Sequence, residues 1–127
     1  MAQESERLTH MIVVDDELGI CDFLRSFFSK RGYDVRIACD GDEALRVASQ
    51  SPPSIALLDI RMPGMSGMEV LEQLHARYPD CKIIMMTAVV DEGAVARAKQ
   101  LGAADYITKP FSLDYLEREV LIKLAGL

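Results

Sequence analysis

Ile55-Ala56-Leu57-Leu58-Asp59 is an apolar run that stops on a carboxylate. It is far too short to cross a bilayer, and it reads as a strand whose two faces are both covered. The loop Arg61-Met62-Pro63-Gly64-Met65 follows, with Pro63 and Gly64 shaping the turn beside Asp59. Ser66, with Glu69 three residues later, makes a capping-box pattern that opens a helix to about Tyr78. Gly67 permits a tight start to that helix.

The same unit recurs on either side. Upstream, Met11-Ile12-Val13-Val14 ends at Asp15-Asp16. A helical stretch from about Glu17 to Arg31 follows, with Ile20, Phe23, Leu24, Phe27 and Phe28 at three-and-four spacing, and Gly32 stops it. Val35 to Ala38 is the weakest strand pattern. Asp40, with Glu43, opens a helix to about Gln50, and Pro52-Pro53 breaks the chain. Downstream, Ile83-Ile84-Met85-Met86 ends at Thr87, and a small-residue helix from about Glu92 to Leu101 stops at Gly102. Tyr106-Ile107 lies in a fifth strand ending near Lys109-Pro110. Ser112 caps a last helix whose Leu113, Leu116, Val120 and Leu124 share a face. Strict alternation of strand and helix predicts an α/β three-layer sandwich. Its five-stranded parallel sheet carries five helices on both faces, the doubly wound flavodoxin-like class.

The chain of 127 residues suits one domain. Residues 1–9 read as a flexible N-terminal leader and residues 10–127 as the domain. Half of the residues are hydrophobic, and the net charge is −6. An acidic surface argues against nucleic-acid binding by this domain, which needs clustered Lys and Arg. No run is long enough for a membrane span and the first residues hold no signal-peptide core, so a cytoplasmic address is expected. Cys21, Cys39 and Cys81 form no CxxC or zinc pattern and read as free thiols in a reducing compartment.

In open α/β sheets, ligands bind beyond the carboxyl ends of the strands. Asp15 and Asp16 follow strand one, Asp59 strand three, Thr87 strand four and Lys109 strand five. Each has a plain reading: a solvated turn, a strand terminator, a helix-start hydroxyl, a surface charge. Their joint placement at four strand ends is what points to a site. Crowded carboxylates raise one another's pKa, and a hard divalent cation removes that penalty. Mg²⁺, with Mn²⁺ as a substitute, suits such a set. Asp16 and Asp59 offer direct oxygens, Asp15 binds directly or through water, and a backbone carbonyl near Arg61 completes the protein's share. Asp59 then becomes a nucleophile toward a phosphoryl group. Lys109 and the Thr87 hydroxyl are placed to receive its oxygens. Whether the Lys109-Pro110 bond is cis is left open by the residues alone.

With these residues in place, the chain resembles the receiver domains of two-component response regulators. The matching stretches are IVVDDE (12–17), LLDIRMPGMSG (57–67), IIMMTA (83–88) and ADYITKPF (104–111). The resemblance runs from about His10 to Leu124. It implies that Asp59 is the phospho-acceptor and that Asp15 and Asp16 serve Mg²⁺, with Arg61 lending its backbone carbonyl. It also implies that Thr87 moves toward the phosphate and that Lys109 contacts it, with a cis bond to Pro110. Tyr106 would be the switch aromatic, and Val89 a position that tunes phosphoryl loss. The implied donor is a phosphohistidine on a sensor histidine kinase or a phosphotransfer protein. The implied output face, built from helix four, strand five and helix five, would meet a downstream domain or protein. Such a domain is a signalling phospho-acceptor that assists its own phosphorylation and dephosphorylation, not an enzyme of turnover. Phosphorylation-dependent homodimer formation is left open.

Three other readings compete. An aspartate-nucleophile phosphatase wants a second Asp two residues after the first, where this chain has Arg61. A flavodoxin-like cofactor binder wants phosphate-cradling Gly, Ser or Thr where Asp15-Asp16-Glu17 stands. A pseudo-receiver would mediate contacts without phosphorylation. His10 and His75 lie outside the cluster, and the methionines read as loop and core filling.

Overall fold

The computed structural model describes residues 8–62, 64–88, 92–110 and 112–126. The expectations at Pro63, Val89 and Phe111 fall outside them, as does the side chain of Leu124. Five strands form one sheet: β1 Thr9–Val14, β2 Tyr33–Ala38, β3 Ile55–Asp59, β4 Lys82–Thr87 and β5 Asp105–Thr108. All neighbours pair in parallel, in the order β2-β1-β3-β4-β5. The helices are α1 Leu18–Ser29, α2 Gly41–Gln50, α3 Gly67–Arg77, α4 Glu92–Gln100 and α5, residues 113–126. The expected α/β sandwich is therefore the fold.

Successive strand residues point to opposite faces, so the sheet divides the core in two. Met11, Val13, Leu57, Ile84 and Ile107 pack with Leu24, Phe27 and Phe28 of α1 and Leu116 and Val120 of α5. Ile12, Val14, Leu58, Ile83 and Met85 pack with α2, α3 and α4 through Ala44, Leu71, Leu74 and Ala98. This two-sided burial explains why the central strands are apolar throughout.

The caps lie where the sequence puts them. Asp40 accepts a hydrogen bond from the Glu43 amide at 2.8 Å, Ser66 from Glu69 at 3.3 Å and Ser112 from Tyr115 at 3.0 Å. Glu43 Oε1 reaches back to the Cys39 amide at 3.2 Å. Strand β2 begins two residues before the predicted Val35, because its backbone already pairs with β1 at Thr9–Tyr33; the Tyr33 ring also packs edge-on against Phe28, with centroids 5.5 Å apart.

The last helix differs from the expected single apolar stripe. It opens as an α-turn, Leu113–Tyr115, widens to a π-turn over Leu116–Val120 and closes as α-helix, Leu121–Gly126. Leu116 and Val120 are buried as expected, but Leu113 is 57% exposed. The wide turn rotates the residues before it relative to those after it, and Tyr115 joins the core in place of Leu113.

Candidate functional site

Strand β1 lies between β2 and β3, so chain connections run outward in opposite directions from it. Asp15 and Asp16 leave this switch point beside the end of β3, which carries Asp59. One carboxylate oxygen from each of Asp15, Asp16 and Asp59 lies within 4.8 Å of the others.

Asp15 is fully buried and held on several sides. Its amide donates to Ala38 O at 3.1 Å, extending the β1–β2 ladder. Its carbonyl accepts from the Cys21 thiol at 3.3 Å, and its Oδ1 accepts from the Glu17 amide at 2.9 Å. That last bond satisfies the first turn of α1, whose own N-cap Glu17 makes no side-chain cap bond. The plain reading of Asp15 as a helix cap is thus half of the truth. Its Oδ2 is buried without a hydrogen-bond donor in alignment; the Lys109 ammonium stands 2.6 Å from it. Asp16 is exposed at the rim.

Asp59 is 7% exposed. Its Oδ1 accepts from the Arg61 amide at 3.2 Å, and its Oδ2 lies 3.4 Å from Lys109 Nζ. The backbone below is pinned, with Ile60 N–H donating to Met86 O and Gly67 N–H donating to Ile60 O, each at 3.1 Å. Thr87 is buried at the end of β4, and its carbonyl accepts from the Lys109 amide at 2.8 Å. The Lys109 side chain is 9% exposed and also lies 3.6 Å from Glu17 Oε1. The Lys109-Pro110 bond is cis.

The electrostatics follow from this crowding. Burial, and after it the charge of Asp15, pushes the Asp59 carboxyl above the usual carboxylate value; Lys109 and the Arg61 amide pull the other way without cancelling the shift. Burial alone would depress Lys109, but its contacts with Asp15 and Asp59 outweigh it and hold the ammonium above its ordinary value. Three carboxylates against one ammonium leave two negative charges. The donor set is all oxygen and carries more negative charge than Lys109 neutralises, which is what a hard divalent cation fits.

A cleft of about 250 Å³ opens over these groups, lined by Asp16, Glu17, Asp59, Arg61, Thr87 and Lys109. Of the residues predicted for the site, Asp15, Asp16, Asp59, Arg61, Thr87 and Lys109 therefore converge. Tyr106 does not join them. It sits half-buried on β5, in register with Met85, and lines a separate cleft of about 260 Å³ with Glu92, Val95, Ala96 and Lys99 of α4. His10 and His75 are remote from the cluster: His10 Nδ1 meets Asp34 Oδ2 at 3.0 Å, and the His75 ring covers Gly102.

Sequence reasoning missed two contributors. Glu17 reads as a helix start, although its place in the same acidic run was a usable signal. Cys21 reads as an ordinary core thiol, and nothing local announces its bond to Asp15. Burial, then the charge of Asp15, pushes this thiol up to about 12, so it stays a neutral donor.

The chain matches the family model of the response regulator receiver domain over residues 11–121. It is similar to a CheY-like receiver domain protein of Methanospirillum hungatei, with 32% identity and a TM-score of 0.86 over 94% of this chain and 95% of that one. It is also similar to chemotaxis protein CheY4 of Vibrio cholerae, with 26% identity and a TM-score of 0.85 over 91% of this chain and 98% of that one. The receiver domain of NtrX from Brucella abortus gives 29% identity and a TM-score of 0.82 over 92% and 99%. Against the longer NtrX structure the chain covers 28% of that protein's length.

Proposed function

We propose, from the premise that this chain belongs to the response regulator receiver family, that Asp59 is its phospho-acceptor. The observation that carries the reading is the pairing of a buried, pinned carboxylate with an ammonium 3.4 Å away at the floor of an acidic cleft. An Asp59 oxygen attacks phosphorus and forms an acyl phosphate. The bond from phosphorus to a histidine nitrogen of the donor breaks, and that nitrogen keeps the electron pair. No proton needs to leave Asp59, so positioning and charge neutralisation carry the step. Lys109 neutralises phosphoryl oxygens, and the Thr87 hydroxyl donates a hydrogen bond to one of them. Asp15, Asp16 and Asp59, with the Arg61 carbonyl, would hold Mg²⁺, or Mn²⁺ in its stead. When bound, the ion offsets the carboxylate repulsion and the charge of the incoming phosphoryl group.

The donor is a histidine kinase or phosphotransfer protein, and the address is the cytoplasm. There, reducing conditions keep Cys21, Cys39 and Cys81 as free thiols. The receiver unit includes Thr9, the first residue of β1, and the expected leader lies mostly outside the described residues. Phosphorylation adds charge and acceptor oxygens at the strand ends. Thr87 then moves to the phosphate, and Tyr106 turns into the space it leaves. The α4, β5 and α5 face is thereby reshaped for output. The phosphoryl group achieves this only by binding the active arrangement more tightly than the resting one. The same cleft admits water for hydrolysis of the acyl phosphate.

Intact mass with a small acyl-phosphate donor tests the acceptor. Wild-type protein gains one phosphoryl group only with Mg²⁺, and Asp59→Asn gains none; persistent labelling of that variant overturns the assignment. Thr87→Ala takes the label while the Tyr106 ring signals stay in their resting positions; a full Tyr106 response in that variant overturns the coupling.

A further inference from the structure

Strand β5 is an edge strand, paired only with β4 among the described residues. On such a strand every second amide points away from its neighbour and needs another acceptor. The Lys109 amide points toward β4 and donates to Thr87 O at 2.8 Å. The Thr108 amide, one residue earlier, donates to the Tyr115 hydroxyl of α5 at 3.3 Å. Two consecutive amides are thus anchored to two different elements. From this doubly anchored backbone the Lys109 side chain runs to Asp15 and Asp59.

Tyr115 is itself well placed to act as an anchor. Its own amide donates to Ser112 Oγ at 3.0 Å, its ring packs against the α1-side core, and the π-turn of α5 starts at the next residue. A second polar tie between α5 and β5, Lys123 Nζ to Asp105 Oδ2 at 3.1 Å, sits at the opposite end of the strand.

We infer that Tyr115 is a positioning residue for Lys109: its hydroxyl holds the Thr108 amide and so fixes the strand end from which the ammonium reaches Asp15 and Asp59. The inference rests on the phospho-acceptor reading of the site. Losing one such hydrogen bond leaves the fold intact but lets the Lys109 backbone wander, which lowers the time the ammonium spends where phosphoryl charge develops.

Tyr115→Phe keeps the ring and removes the acceptor. With a small acyl-phosphate donor and Mg²⁺, this variant takes the label roughly 3- to 10-fold more slowly than wild type, the range one net hydrogen bond spans. The NMR signal of the Lys109 ε-methylene, which reports its ion pairs, moves in the same variant. Lys123→Gln cuts the other tie and leaves both the rate and that signal as in wild type. The inference is overturned by a Tyr115→Phe rate equal to wild type, by slowing with the Lys109 signal unmoved, or by equal slowing in Lys123→Gln. A wild-type chain that takes no label removes the phospho-acceptor reading and this inference together, whereas the three preceding outcomes leave that reading standing.

Discussion

Gly67 occupies a position where a side chain has no room. A Cβ there would collide with the Asp59 carbonyl oxygen and stand 2.8 Å from Ile60 Cα, and neither backbone atom can swing aside. Gly67→Ala therefore pushes α3 off the end of β3. It is expected to cost about 1–3 kcal/mol in urea denaturation and to slow labelling of Asp59; wild-type stability would contradict this. The sequence signalled a tight helix start at Gly67 but not the surface it is tight against, because close approach is a tertiary fact. Asp59 carries its own penalty. Its raised pKa means that the folded chain holds the proton more firmly than the unfolded chain, so the ionised carboxylate destabilises the fold. Without divalent cation, Asp59→Asn should melt higher than wild type at neutral pH. The advantage should shrink as pH falls through the folded pKa of Asp59 and vanish below the ordinary carboxylate value, where Asp59 is protonated in both states. A melting series across acid pH checks this, and a lower-melting variant at neutral pH would refute it.

Elements were legible where a local rule governs them. Asp40, Ser66 and Ser112 each cap a helix as predicted, because a cap is made by residues three apart. Ser112→Ala should accordingly lose about 1 kcal/mol in denaturant unfolding; no loss would mean that the α5 start is held by tertiary packing alone. Strands β1, β3 and β4 announced themselves as apolar runs, β5 showed only Tyr106-Ile107, and β2 was under-read because Asp34 and Arg36 interrupt its pattern. The π-turn in α5 was not legible. Leu113, Leu116 and Val120 fit an ordinary helical period, and only packing selects Tyr115 over Leu113.

At the scale of the whole molecule, the alternation of elements gave a parallel sheet, and the strand-end rule gave a shared edge for Asp15, Asp59, Thr87 and Lys109. A contact such as Thr108 to Tyr115 was beyond reach, since it depends on the geometry of elements after folding. On the proposed Mg²⁺ reading, the acidic cup couples stability to the cation. A ligand at about 100 times its Kd stabilises the folded state by about 2.7 kcal/mol. Saturating Mg²⁺ should therefore raise the melting temperature, with a smaller rise in Asp16→Asn; equal shifts in both would remove Asp16 from the ion's ligands.

The most direct measurement locates the phosphoryl group by chemistry. Borohydride reduces an aspartyl phosphate to homoserine, which peptide mass mapping can place in the chain. After Mg²⁺-dependent labelling, the account predicts homoserine at position 59 and unchanged aspartates at Asp15 and Asp16. Homoserine at either of those two positions, or an unmodified Asp59 in labelled protein, would contradict it.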